Sequence, residues 1–509
     1  MNMKVSLTSL AVGLALAVNP AVAQEKSASK KSEKPNVIFF YADDMGYEIG
    51  AFGHPTIETP NIDKLALDGQ RWTSFYVTSP VSSPSRGSLL TGRHQVRTGL
   101  YGEKSAVVIE EDPTTQIPDN ELTLAKLMKQ QGYATAAVGK WHLGGVEAAY
   151  PTRHGFDYWY GMPQSNDNYK TFTLSMKETV EAMSRGDMAA IKERQEKVFE
   201  SYLDPQPHNW NIPTIRSEKV NGEYVDELVA QPTDQDYLTH NLTLEGQKFI
   251  EENKDNPFFL YLAYDKPHLP HFHHPDFKGK SPMGPLGDVM AEMDASVGKI
   301  LDTLEENGLR DDTLIVLTSD NGPWMVYEVL QGTGGFLQNG KQSTYEGGVR
   351  VPAIFNWPGK IEPARVTGMG STLDILPTLA ALTNQELPKD MVFDGYDLSP
   401  TLLEGEPTER VDMPYYWAGE MFAYRYGDYK IHFNLFDVLN HGFKKVNYDK
   451  PELYNLMADP GERFDIAADN PEIVEELTKR AKAYDKNLDR AAPIFDQGFH
   501  DAMKKDANE

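Results

Sequence analysis

Short runs of uninterrupted apolar residues recur along the chain: NVIFFY at 36–41, ATAAV at 134–138, FFLYLAY at 258–264, TLIVLTS at 313–319 and PAIFNW at 352–357. They are rich in strand formers and too short for buried helices. Stretches of helical period lie between them. NIDKLALDG (61–69) and LAKLMKQQG (124–132) are short and end in glycine. From Asp288 to Asn307, Val289, Met293, Val297, Ile300, Leu301 and Leu304 fall on one face, and Gly308 stops the run. Continuous apolar strands alternating with amphipathic helices predict an α/β fold: a large, mostly parallel mixed sheet sandwiched by helices. Ligands in such folds bind outside the carboxyl ends of the strands. The residues that follow each apolar run are therefore the candidates for chemistry.

The rhythm breaks in two places. Residues 165–240 are polar, with a charged helix-like stretch at 176–200, and read as a variable insertion near the site or a substrate-facing wall. Its Tyr169, Lys170, Trp210 and Arg216 suit either sugar binding or packing of the insertion itself. The main domain is expected over 35–409. Residues 410–509 read as a small C-terminal subdomain of antiparallel sheet plus helix, with strands in YRYGDYKIHFNLF (424–436) and a final helix in PEIVEELTKRAKAYDKNL (471–488). No internal repeat is visible.

The chain starts MNMKVSLTSLAVGLALAVNPAVAQ, with Lys4, an apolar core from Leu10 to Val18, and Ala21-Val22-Ala23 before Gln24. This is the pattern of a secretory signal peptide over 1–23, cleaved near Ala23-Gln24 and too short for a stable membrane span. Residues 24–34 (QEKSASKKSEK) read as a disordered linker. No other apolar stretch reaches roughly 18 residues. A periplasmic or secreted protein without a membrane anchor is expected.

Composition narrows the partners. The 509 residues carry a net charge of −26, which argues against nucleic acid, whose phosphates need clustered Lys and Arg. There is no cysteine, so disulfides, thiolate metal sites, a cysteine nucleophile and a lipidated N-terminal cysteine are all excluded.

Asp43-Asp44 directly follows the first apolar run, and Asp320-Asn321 follows TLIVLTS. Either pair alone suits a solvated turn. Together they make an oxygen-only set, which suits Ca²⁺ or Mg²⁺ rather than zinc. Lys140 and His142 follow ATAAV, Lys266 and His268 follow FFLYLAY, and Lys341 precedes PAIFNW. Lone residues of these types are usually structural. A metal with several cations at one sheet edge is what a tetrahedral oxyanion ester requires. Ser82-Ser83-Pro84-Ser85-Arg86 reads as a helix start, with Ser82 at or near the N-cap facing free N–H groups.

The chain resembles the formylglycine-dependent sulfatase family of the alkaline-phosphatase superfamily, in its arylsulfatase A-like, serine-type branch. The family motif is Cys or Ser, any residue, Pro, commonly Ser, then Arg, and after a gap Thr-Gly. Here it is Ser82-x-Pro84-Ser85-Arg86 with Thr91-Gly92-Arg93. HPTIETPNIDKLALDG, GKWHLG, SDNG, KQSTYEGGVRVP and ELYNLMADPGE extend the likeness over most of 35 to 465.

The resemblance implies sulfate-ester hydrolysis and the following roles. Ser82 matches the residue oxidised to formylglycine, an aldehyde, by a radical-SAM maturase before export. Asp43, Asp44, Asp320 and Asn321 match calcium ligands, with the hydrated residue 82 completing the shell. Arg86 matches the residue that holds the gem-diol. Lys140, His268 and Lys341 match sulfate-clamping and leaving-group residues. His142 matches the partner of the second hydroxyl, and Ser165 a further sulfate contact. One hydroxyl attacks sulfur, His268 or Lys341 protonates the departing oxygen, and His142 then deprotonates the other hydroxyl to expel sulfate. The expected substrate is a sulfated saccharide, with algal carrageenan first and ulvan, fucoidan or glycosaminoglycans behind; an aryl sulfate would serve as a synthetic one. Two rivals remain. One is a phosphatase or phosphodiesterase of the same superfamily using unmodified Ser82, with His271, His273 and His274 as further zinc-type ligands. The other is a protein that binds sulfated glycans without turnover.

Overall fold

One face of strand Asn36–Asp43 presents Val37, Phe39 and Tyr41 to one hydrophobic core, and the other presents Ile38, Phe40 and Ala42 to a second. This alternation explains the uninterrupted apolar runs, because a strand covered on both sides has no polar face. The structure is a computed structural model that describes residues 34–496, apart from 104–107, 110–114, 176–177, 180, 183–184, 326–329, 331 and 438–443. The expected signal peptide and nearly all of the linker lie outside the described residues.

The strands of the main sheet are β1 (Asn36–Asp43), β2 (Gln70–Tyr76), β3 (Ala134–Gly139), β4 (Tyr158–Gly161), β5 (Thr214–Val220), β6 (Glu223–Ala230), β7 (Phe258–Pro267), β8 (Thr313–Ser319), β9 (Arg350–Asn356), β10 (Ala364–Val366) and β11 (Gly370–Ser371). Their order is β10-β2-β9-β8-β1-β7-β3-β4-β5-β6, with β11 also on β2. The centre, β8-β1-β7-β3-β4, is parallel. Antiparallel strands flank it on both sides. This is the expected mixed sheet. On one face, Ile62 and Leu65 of helix Pro60–Leu67 share a core with Val297 and Ile300 of helix Gly284–Glu306. On the other, helices Ser82–Thr91, Leu124–Gln130 and Ile375–Leu382 contribute Leu89, Leu127 and Leu376. No described helix is long and apolar enough to cross a membrane.

The insertion extends the sheet instead of standing apart from it. β5 pairs with β4, and β6 pairs with β5 as the outermost strand. Asn221 and Gly222 turn the hairpin with φ of +52° and +91°, the positive pair that a two-residue hairpin favours. Tyr224, Val225, Leu228 and Val229 of β6 are exposed. The charged stretch forms helix Met188–Leu203, with Asp187 as its N-cap. Trp210 is fully buried, stacked on Tyr202 and edge-on to Phe272. Lys170 pairs with Asp167, and Arg216 pairs with Glu227 and Glu245. Of the two roles considered for these residues, packing of the insertion is the one that the contacts describe.

The C-terminal strands β12 (Asp412–Trp417), β13 (Glu420–Tyr426), β14 (Tyr429–Asp437) and β15 (Lys444–Asn455) form a separate antiparallel sheet in sequence order. Helix Pro471–Asn487 packs Leu477 and Ala481 against Tyr424, Ile431 and Leu453. A buried ionic knot ties this sheet to the main domain. Lys430 Nζ lies 2.9 Å from Glu346 Oε1 and 3.2 Å from Glu462 Oε1, and His432 Nε2 lies 2.7 Å from Glu462 Oε1. Tyr76 donates to Glu346 Oε2 at 2.6 Å, and the Glu346 N–H donates to Glu462 Oε2 at 2.5 Å.

Three buried histidines away from the strand-end carboxylates make stability depend on pH. Burial pushes His94, His154 and His271 each down to about 4, against about 6.5 in an unfolded chain. Between these values the unfolded state binds more protons. Their contribution is therefore full above about pH 6.5 and is lost as pH falls towards 4, at up to roughly 4 kcal/mol per pH unit for three protons. Urea midpoints are expected to fall between pH 7 and pH 5. A flat midpoint across that window would contradict the burial of these rings as neutral groups.

Candidate active site

Four adjacent parallel strands, β8, β1, β7 and β3, end at one edge of the sheet, so the polar residues after each run converge. Asp43 closes β1 opposite Pro267 of β7, while Ala42 lies opposite Ser319 of β8. Gly139 closes β3 opposite Ala263. A side chain at Gly139 would put its Cβ 1.9 Å from the Ala263 carbonyl oxygen, and its φ is +108°. Only glycine allows this close turn into Lys140. Asp44 and His142 also have positive φ, +62° and +57°.

Helix Ser82–Thr91 carries the serine motif, and all ten of its residues are buried. Its N-cap is Val81, which puts Ser82 next to the cap, within the expected place at or near the helix start. Ser82 is the first helical residue and makes no capping bond. Its hydroxyl donates instead to Asp43 Oδ1 at 3.2 Å, with Asn321 Oδ1 at 3.5 Å. The side chain is aimed out of the helix into the carboxylate group. Arg86 follows one turn later and lies over the ring of Tyr41 at 5.1 Å. Its Nε and Nη2 are each 2.8 Å from Asp320 Oδ2, and its Nη1 donates to the Lys140 carbonyl at 3.3 Å.

Asp43, Asp44 and Asp320 each offer an oxygen within 4.8 Å of the others. They form the one group of three or more metal-ligating His, Asp or Glu side chains among the described residues. Lys140 Nζ contacts Asp43 Oδ2 at 2.5 Å, and Lys341 Nζ contacts Asp44 Oδ2 at 2.9 Å. Three carboxylates thus face three side-chain cations. Burial pushes the Asp43 carboxyl up, but Lys140, His268 and Arg86 hold it well below the usual range. Asp44 goes the other way. Burial and the neighbouring Asp43 and Asp320 raise it to about 7, against the pull of Lys341. Burial, then Asp43, raises Asp320. Two of three clustered carboxylates are therefore strained as anions. The donor set of three carboxylates, the Asn321 amide oxygen and the Ser82 hydroxyl matches a hard divalent cation of the Ca²⁺ or Mg²⁺ type.

The remaining expected residues surround this centre. Lys140 Nζ also donates to Ser165 Oγ at 3.1 Å. His268 Nε2 lies 3.6 Å from Asp44 Oδ2, and its Nδ1 bonds the Leu269 carbonyl. Burial and then Lys341 push His268 down to about 3. Burial lowers Lys341 too, but Asp44 and Asp43 raise it above its ordinary value. Lys341, held protonated, and His268, held neutral, thus both face Asp44 Oδ2. His142 donates from Nε2 to the Ile109 carbonyl at 3.0 Å, which leaves Nδ1 as its basic nitrogen. Burial, then Lys140, holds this ring well below the normal histidine range.

The zinc-type ligands of the phosphatase rival are not gathered. His271 is buried, with Nε2 donating to the Pro267 carbonyl at 3.0 Å; His273 faces Asp288 and His274 faces Asp276. Two neighbours of the centre escaped the sequence reading. Asp167 accepts from Tyr202 at 2.9 Å; burial raises it, but Lys170 and His268 lower it further. Trp324 lines a pocket with Asp44, His268, Leu269, Leu286 and Leu330. Their position two residues after Ser165 and three after Asn321 was the available signal.

Residues 35–385 match the family described as sulfatase, and residues 408–507 match the C-terminal region of aryl-sulfatase. The chain is 35% identical over 502 residues to arylsulfatase A of Homo sapiens, covering 94% of this chain and 91% of that one. Its structure is similar to that of PsFucS1 sulfatase from Pseudoalteromonas sp., with a TM-score of 0.74, 33% identity and coverage of 89% and 90%. It is also similar to Ps i-CgsB in complex with k-i-k-neocarrahexaose, with a TM-score of 0.71, 28% identity and coverage of 90% and 94%.

Proposed function

From the premise that this chain belongs to the sulfatase family and is a hydrolase of sulfate esters, we propose that its substrate is a sulfated polysaccharide, with carrageenan the first candidate, and that Ser82 carries the nucleophile in oxidised form. One observation supports this most strongly. The Ser82 hydroxyl, on a helix start, is directed at Asp43 and Asn321, within a carboxylate cluster that Arg86, Lys140, Lys341 and His268 contact. The choice of carrageenan draws on the oligosaccharide named in the complex of the similar protein and on the exported, acidic character of the sequence.

Asp43, Asp44, Asp320 and Asn321 would hold Ca²⁺, which supplies a fixed positive charge for the sulfuryl oxygens. The aldehyde made from Ser82 by a radical-SAM maturase would supply, as its hydrate, a nucleophilic hydroxyl and a second one through which the ester is released. The chain's own residues do the rest. Lys140 and Ser165 orient one side of the sulfate, and Lys341 and His268 the other. Lys341, held protonated by Asp44, is the better placed of the two to give a proton to the leaving oxygen. His142 accepts a proton at Nδ1. Arg86 fixes Asp320 and so the geometry around residue 82. With a divalent ion added, the balance of three carboxylates against three side-chain cations gains two positive charges, which suits an anionic ester. The protein is exported after cleavage near Ala23-Gln24.

Digestion with trypsin isolates Trp72–Arg86. In protein from its native host this peptide is expected to weigh about two mass units less than its sequence mass, the loss of two hydrogens that turns a hydroxymethyl group into an aldehyde. The same preparation should release sulfate from carrageenan oligosaccharides. A fully unmodified serine would sink the proposed chemistry and bring back the serine phosphatase and the binding protein as readings to test.

A further inference from the structure

The two side chains on the leaving-group side share one support. Lys341 Nζ sits 4.6 Å above the ring of Trp324, and the His268 ring centre lies 5.5 Å from that ring at an interplanar angle of 41°. The Trp324 indole, Asp44 and His268 all line the same pocket. Behind it stands the insertion. Tyr202 meets Trp324 edge-on at 6.4 Å, stacks on the fully buried Trp210 at 6.3 Å, and bonds Asp167 through its hydroxyl.

A lysine needs such a support. Its stem is flexible and its ammonium has no preferred direction. The bond to Asp44 fixes one distance only. Asp44 is also a proposed metal ligand, so a bound cation would compete for the same carboxylate. The ring face supplies a second, independent contact of cation–π type. His268 is in a similar position, with Nδ1 tied to a backbone carbonyl and its ring otherwise guided by the indole.

We infer that Trp324 is a positioning residue for Lys341 and His268, acting on departure of the leaving group and not on substrate binding; this rests on the leaving-group roles proposed above. When the bridging S–O bond breaks, its electron pair goes to the bridging oxygen, and a proton from Lys341 neutralises it, with neutral His268 beside it shaping the approach. The sulfur passes to the nucleophile at position 82. A misplaced donor therefore costs most where the departing oxygen is most basic.

The test uses full-length, matured protein and a series of phenyl sulfates running from acidic to weakly acidic phenols, together with a sulfated carrageenan disaccharide. Wild type must first hydrolyse these esters; failure at that step would strike the proposed function itself. For Trp324→Leu, kcat on p-nitrophenyl sulfate is expected within about threefold of wild type, with kcat on phenyl sulfate and the disaccharide lower by roughly 10–100-fold, a part of the range general-acid catalysis commands. KM should stay within about twofold for all, and Trp324→Phe should restore most of the loss by restoring a ring face. An equal loss on every substrate would overturn the inference in favour of a structural role. A rise in KM at constant kcat would overturn it in favour of a sugar platform. Should Trp324→Leu fail to fold, Trp324→Met, which keeps bulk without a ring face, takes its place, and an unchanged dependence on the leaving group counts against the inference.

Discussion

Replacing Ser82 by alanine is expected to lower kcat for sulfate-ester hydrolysis by a factor on the order of 10⁵ or more, as removal of a covalent nucleophile does elsewhere. The protein should remain folded. The Ser82 hydroxyl caps no helix N–H, and its two partners, Asp43 and Asn321, keep other contacts: Lys140 and Arg86 for the first, and a bond from Asn321 Nδ2 to Asp44 Oδ1 for the second. Thermal midpoints of variant and wild type should agree within a few degrees. Sulfate release above about one hundredth of the wild-type rate in a variant free of contaminating enzyme would remove residue 82 from the chemistry.

Replacing Lys430 by methionine is expected to destabilise the protein by about 3–5 kcal/mol, the usual effect of removing one partner from a buried ion pair. Lys430, Glu346 and Glu462 all have fully buried side chains. Burial pushes Glu346 up, but Lys430 and Arg350 hold it at about 2, below the roughly 4.3 of an unfolded chain. In wild type this carboxylate therefore stabilises the fold above about pH 4.3, and the contribution is lost as pH falls towards 2. Without Lys430 the folded-state value rises and that contribution shrinks. Urea denaturation at pH 7 should show the loss, and Glu462→Gln on the Lys430→Met background should recover part of it by removing one uncompensated charge. A Lys430→Met variant as stable as wild type would mean that the knot does not bind the two sheets together.

Strands buried on both faces were legible in the sequence because nothing polar interrupts them, and β1, β3, β7, β8 and β9 lie where the apolar runs are. β2 was not, since the polar pairs Gln70-Arg71 and Thr73-Ser74 break QRWTSFY into neither a continuous apolar run nor a regular alternation. The hairpin of β5 and β6 lay hidden in a stretch judged by its charge, although Asn221-Gly222 between two β-rich segments is a strong hairpin signal. The candidate site was legible for a topological reason. Parallel neighbours deliver their following residues to one edge, so Asp43, Lys140, His268 and Asp320 could be grouped before any geometry was known. The orientation of Ser82 was legible only through the family motif, which sets residue 82 beside the Asp43 group; taken alone, a serine before Pro84 looks like a cap, whereas its hydroxyl turns to Asp43 Oδ1. Trp324 was missed because a single aromatic residue after a turn carries no signal beyond its place three residues after Asn321.

The outermost strand, β6, has one side without a hydrogen-bonded neighbour among the described residues and bears exposed Tyr224, Val225, Leu228 and Val229. An apolar strand edge of this kind is a template for joining one molecule to the next. The same strand reads EYVDELVA. If two copies met antiparallel centred on Asp226, that residue would sit across from its own copy, and centred on Glu227 the same would hold; the two carboxylates have arginine partners within the chain, Arg153 and Arg216, and like charged groups directly opposed disfavour pairing. At a concentration where bare apolar edges would knit into ribbons, this charged centre gives the molecule a border ill-matched to its own image.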